Sequence, residues 1–212
     1  MRGRILDPID RISEILFGLV MVLTSTNALS VLSAGRADVQ TMILGALGCN
    51  LAWGAIDGML YVLGCLNERG RNYLMLRTAQ QGNDPEAVRA AIRERLPESF
   101  AAALSQGELD AISEKMRELP EPQRPHVTKA EWLGAAAVCC LVFLSTFPVV
   151  LPFLFTNDVT LALRISNAIA IAMLFVCGYA FARHSGLAPW RSGLLMVGLG
   201  CAMVAVAIAL GG

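Results

Sequence analysis

The chain has 212 residues, 55% of them hydrophobic and 16% charged, with a mean hydropathy of +0.56. Soluble domains average about 25% charged residues, so this composition leans towards lipid and excludes a disordered tail or a secreted disulfide scaffold. The 17 Lys and Arg balance 17 Asp and Glu, leaving no basic surplus to meet nucleic acid.

The apolar residues gather in five runs of about 20–25 residues, the length that crosses about 30 Å of hydrocarbon at 1.5 Å per residue. We place the spans at 13–34, 41–66, 132–155, 159–183 and 190–210. The expected fold is an all-α membrane protein with five transmembrane helices and a short three-helix cytoplasmic insertion between the second and third. Its parts are 1–66 (N-terminal segment and first two spans), 67–130 (insertion) and 131–212 (last three spans).

The first span follows Arg2, Arg4, Asp7, Asp10 and Arg11 and opens after Glu14. It is too long for a signal peptide and lacks a small-residue cleavage site, so it reads as a retained helix. Thr24, Ser25, Thr26, Asn27 and Ser30 interrupt it. Hydroxyls in membrane helices often bond back to their own backbone, but the amide of Asn27 needs several partners at once. Met21 falls near the depth of Asp57 if both helices cross fully. A thioether and a carboxylate at one level could hold a transition metal in transit, although methionine also fills core gaps.

The second span contains Asp57, slightly to the cytoplasmic side of its midpoint. An acid there costs on the order of 3 kcal/mol on insertion scales and marks a bundle interior or a watery cavity. Asn50, Gly54, Asp57, Tyr61, Gly64 and Glu68 form one stripe of polar and small side chains at helical spacing, opposite Leu51, Ile56, Leu60 and Leu63. A functional carboxylate is the favoured reading. The alternative is a protonated Asp57 hydrogen-bonded to a neighbouring helix. Met59 points away from Asp57 and is set aside.

In the insertion, Asn83-Asp84-Pro85-Glu86 is a helix start. Val88, Ala91, Ile92 and Leu96 share one face up to Pro97, and Leu109, Ile112, Met116 and Leu119 share another. The second span is expected to continue through Glu68 and Arg71 as the first of three short helices. Pro120, Pro122 and Pro125 make a stiff connector to the third span. There, Pro148 and Pro152 free carbonyls or simply end the helix. In the fourth span Arg164 snorkels or functions, with Asn167 one turn deeper.

The six cysteines lie within spans and form no CxxC pair, and the two histidines, His126 and His184, are isolated. That argues against a zinc knuckle or disulfide framework. Without a P-loop, GxSxG or HExxH motif, an enzyme is not expected. With the N-terminus inside, 15 of the 17 Lys and Arg fall on the inner side and only Arg36 and Arg164 on the outer. The positive-inside rule thus predicts N-in, C-out; if the source is bacterial, the expected compartment is a plasma or inner membrane.

Three stretches resemble the vacuolar iron transporter family. Phe17-Gly18-Leu19 with Ser25 and Ala28-Leu29 is similar to its first span. Lys115-Met116-Arg117-Glu118-Leu119 is similar to the Met/Glu motif of its last cytoplasmic helix. Phe147-Pro148-Val149-Val150-Leu151-Pro152-Phe153 resembles the end of its third span. The resemblance implies a homodimer in the lipid bilayer that exports Fe2+, Mn2+ or a like ion from the cytosol in exchange for protons. It also implies a pathway between the first two helices and a cytoplasmic cluster of glutamates and methionine that gathers metal. No tightly bound cofactor is implied beyond the transported ion.

The chain departs from the family pattern where that pattern has acids. Val20-Met21 and Ala52-Trp53 stand at the two positions, and Asp57 occurs about one turn deeper than the second. Residues 69–83 hold three arginines and no carboxylate.

The expected pathway is therefore Met21, Ser25, Asn27, Asn50, Asp57 and Tyr61. Metal would meet Asp57 and Met21 in the membrane, and Glu114, Met116 and Glu118 on the cytoplasmic side. One alternative is a non-transporting scaffold of the same fold whose cytoplasmic helices bind a protein. Another is a transporter of a cargo less dependent on carboxylates.

Overall fold

The computed structural model describes residues 6–32, 38–82 and 84–210; Arg2, Arg4, Arg36 and Asn83 lie outside them. All regular structure among the described residues is helical. Contacts divide the chain into two compact units, one running to Tyr61 and resuming at Lys129, the other Val62–Thr128.

In the first unit α1 (Pro8–Leu32) leads to α2 (Val39–Gln81), whose later residues belong to the second unit. Asp38 caps α2 by accepting the Thr41 N–H at 2.7 Å, and the Thr41 hydrogen bonds hold its carboxyl below the usual value. Five stretches are long and apolar enough to cross a membrane: α1, α2, Lys129–Phe155, Val159–Ser185 and Pro189–Ala209.

The second unit adds α3 (Pro85–Arg95), α4 (Glu98–Ala103) and α5 (Gln106–Arg117). Asp84 caps α3 through the Glu86 N–H with Pro85 in the first turn, where its missing N–H is not needed. Ser105 and Glu108 form a reciprocal capping box that starts α5 three residues before its first buried apolar side chain. Those bonds from Ser105 hold the Glu108 carboxyl below its ordinary value. Ala79, Val88, Ile92 and Leu109 make the core of this unit, with Leu96, Leu104, Ile112 and Met116 around it. Arg117 donates to the carbonyls of Ala79 (3.1 Å) and Gly82 (3.4 Å), satisfying the end of α2.

A paired Arg89 and Asp110 tie α3 to α5 through Nε–Oδ1 at 2.7 Å and a second bond at 3.2 Å. The Arg89 hydrogen bond holds the Asp110 carboxyl below its ordinary value of 3.8. A carboxyl depressed on folding stabilises the fold above its unfolded pKa and loses that contribution as pH falls through the folded one. Amide protection factors in α3 and α5, corrected for the intrinsic exchange rate, are therefore expected to fall below about pH 3.8. In Arg89→Gln the same protection is expected to be lower already at pH 7, with less dependence on acid.

The third span is broken as its two prolines dictate. α6 (Lys129–Leu144) gives way to α7 (Thr146–Val150) and α8 (Pro152–Phe155), each proline falling in the first turn of a new segment. α9 (Val159–Ser185) is capped by Asp158 and ends at Gly186, whose φ of +70 suits glycine. α10 (Pro189–Ala209) follows. The first unit's core joins Leu19, Val22 and Leu23 of α1 to Ala46, Val149, Val150, Ala170 and Leu174. Lipid offers no hydrophobic drive between helices, so close approach through small residues holds them instead.

Candidate functional site

α1 and α2 form an antiparallel pair, so residues equally far from the connection between them lie level. The pairings bear this out. The Phe17 and Trp53 rings meet edge to face at 6.0 Å, and Asn50 Nδ2 donates to the Gly18 carbonyl at 3.0 Å. One turn beyond Phe17, Glu14 stands level with Asp57, close enough for the two carboxyl groups to interact, with Asp10 near enough to add its charge. Both residues are half-buried. The level partner of Asp57 is therefore Glu14; Met21 stands two turns further along α1.

The stripe on α2 has a different neighbour from the one its polarity suggests. Gly54 and Gly58 are buried against α6: a Cβ at Gly54 would meet the Cys139 carbonyl at 2.9 Å, and one at Gly58 the Ala135 carbonyl at 2.7 Å. The Tyr61 ring lies on Gly134. Asn50, with no exposed surface, also donates to Thr146 Oγ1 at 2.6 Å, so it ties α1, α2 and the start of α7 together. Its carbonyl oxygen finds no donor among the described residues. Asn50, Gly54, Gly58 and Tyr61 thus form a packing seam with α6, and Asp57 sits at its edge facing α1. On the other side Leu51, Ile56, Leu60 and Leu63 are about half exposed.

Asn27 does not face α2. Its Nδ2 donates to the Leu23 carbonyl at 2.7 Å and to Asn167 Oδ1 at 3.1 Å, and Asn167 Nδ2 returns a bond to Asn27 Oδ1 at 3.2 Å. The two amides, 140 residues apart, satisfy each other between α1 and α9. Truncating Asn27 to Ala orphans a buried amide and is expected to cost about 1–3 kcal/mol, while the Asn27→Leu, Asn167→Leu double variant recovers most of that. Thermal unfolding of Asn27→Leu, Asn167→Leu and the double closes the cycle. Ser25 donates to its own helix at Val22, 3.1 Å, as Thr24 and Thr26 do to the carbonyls before them. Arg164 is exposed.

In the second unit, Glu114 and Glu118 are exposed, while Met116 packs into the apolar core on another face of α5. The signal that places Glu14 beside Asp57 is the register of the hairpin: counting back from the connection as far as Asp57 lies beyond it reaches Glu14. Among the described residues no three His, Cys, Asp or Glu side chains group closely enough to hold a metal ion unaided.

The VIT family model matches residues 67–212. The chain belongs to the VIT family. The match takes in α3–α10, including the Lys115–Leu119 and Phe147–Phe153 stretches, and begins beyond Glu14 and Asp57. Membership makes this VIT-family chain a multi-pass membrane protein of a metal-ion transporting family. No curated protein matches the chain.

Proposed function

We propose that the protein is a secondary transporter of divalent metal ions such as Fe2+ or Mn2+, carrying them out of the cytosol in exchange for protons. The observation that carries this reading is the register of α1 and α2, which sets the Glu14 and Asp57 carboxyl groups level and close enough to interact on two helices long and apolar enough to cross a membrane. Two carboxylates side by side repel, and either a proton or a divalent cation relieves that repulsion; hard carboxylate oxygens suit such ions. Metal entry and proton release are then one event at one site. Two carboxylates alone under-fill a divalent shell, and water or a second copy of the chain supplies the remainder.

In this reading the N-terminus and the unit 62–128 are cytoplasmic, the C-terminus is outside, and two copies form a homodimer. Glu114 and Glu118 are exposed acids proposed for capture on the cytoplasmic side, with Met116 contributing packing instead of a ligand. Ser25, Asn50 and Tyr61 shape the helices that present the pair, and Met21 lies beyond it along the outward path.

The test is metal flux into proteoliposomes loaded with a Mn(II)-sensitive dye, with and without a pH gradient. The reading requires flux that follows the gradient. A wild-type protein that binds no metal and moves none would favour the scaffold reading.

A further inference from the structure

We propose that a cavity in the unit Val62–Thr128 is a binding site for a phosphate-bearing anion, with an anionic lipid headgroup as its source. The cavity, about 310 Å3, lies between one flank of α2 (Arg69, Asn72, Tyr73) and the connector that leads to α6 (Gln123, Arg124, His126). Two guanidinium groups line it and no carboxylate does. Glu68, one residue before Arg69, is engaged by Arg95, which also donates to Asn72 Oδ1 at 2.8 Å. Asn72 is left with its N–H donors to offer. Tyr73 accepts from Arg77 at 3.4 Å and so keeps its own O–H to donate. The polar lining is thus biased towards cations and donors, with arginine the residue best shaped for phosphate.

The cavity is built before any ligand arrives. Arg69 donates to the His126 carbonyl at 3.0 Å and fixes the connector against the helix. His126 Nδ1 donates to the Arg124 carbonyl at 3.1 Å in the tautomer that carries its proton there. Pro122 and Pro125 stiffen the same wall.

Along the chain, both walls of the cavity adjoin stretches apolar enough to cross a membrane. α2 is unbroken, and Arg69 lies three residues past Leu66, the end of the apolar run, about 5 Å along the axis. On the other wall, His126 lies three residues before Lys129, where α6 begins. Arg69 and His126 thus each stand three residues along the chain from an apolar stretch, and basic pockets beside membrane helices suit anionic headgroups.

The experiment uses the full chain purified in detergent. Its unfolding temperature is measured with added dioleoylphosphatidylglycerol, with dioleoylphosphatidylcholine and with inorganic phosphate. Phosphatidylglycerol is expected to raise it by about 2–4 °C over phosphatidylcholine. Arg124→Gln should lose most of that shift, Arg124→Lys should keep part of it, and Tyr73→Phe, which leaves the wall intact, should lose part. A shift with inorganic phosphate equal to that with the lipid supports the anion site and assigns it a soluble source. The proposal is overturned if Arg124→Gln and Tyr73→Phe both keep the full lipid shift, or if neither lipid nor phosphate shifts the wild-type protein.

Discussion

Asp57→Asn and Glu14→Gln are each expected to reduce proton-driven Mn(II) flux in proteoliposomes by on the order of tenfold or more. Even side chains that only support a metal ligand are worth about 10–100-fold in affinity, and here each change removes one of the two level carboxyl groups that the proposed site requires. Both variants keep the shape of the side chain and its capacity to hydrogen-bond, so folding is expected to survive. The sharper feature is symmetry. If the pair acts as one proton-and-metal site, the two single variants and the double fail to a similar degree, because either loss breaks the same exchange. Groups that act as a unit show such non-additivity. Full activity in Glu14→Gln with loss only in Asp57→Asn would leave Asp57 acting alone.

The second large effect is expected at Gly58. A Cβ there would stand 2.7 Å from the Ala135 carbonyl and 3.3 Å from its carbon, both backbone atoms of α6 that cannot rotate aside. Overpacking of this kind costs about 1–3 kcal/mol. Gly58→Ala is thus expected to lower the unfolding temperature by several degrees, about 2–4 °C per kcal/mol, and Gly58→Leu to yield no folded protein. Gly48, on the same helix, is the control: nothing lies within 4 Å of the Cβ it lacks. Gly48→Ala gains about 0.5–1 kcal/mol of helix propensity and is expected to be neutral or stabilising. If both alanine variants behave alike, the α2–α6 seam is not as close as described.

These two expectations mark where the sequence was legible and where it was not. Helix length and apolar runs locate all five spans, because one membrane thickness sets both. Asp84-Pro85 marks the start of α3 because capping chemistry is local. What a stripe of small and polar residues faces is not local. Asn50, Gly54 and Tyr61 suggest a pathway, yet glycine lets two backbones meet as readily as it lines a channel, and here they meet α6. Asn27 and Asn167 find each other across 140 residues, a pairing that no periodicity encodes. Glu14 is easily passed over because it adjoins a charged N-terminal stretch and resembles a flank. Only the level register of α1 and α2 turns it into the partner of Asp57.

The most direct measurement is an anomalous-scattering map of crystals soaked in Mn(II). The account predicts a peak between the Glu14 and Asp57 carboxyl groups that disappears in Asp57→Asn crystals. Peaks confined to exposed acids such as Glu114 and Glu118, with none between α1 and α2, would contradict it.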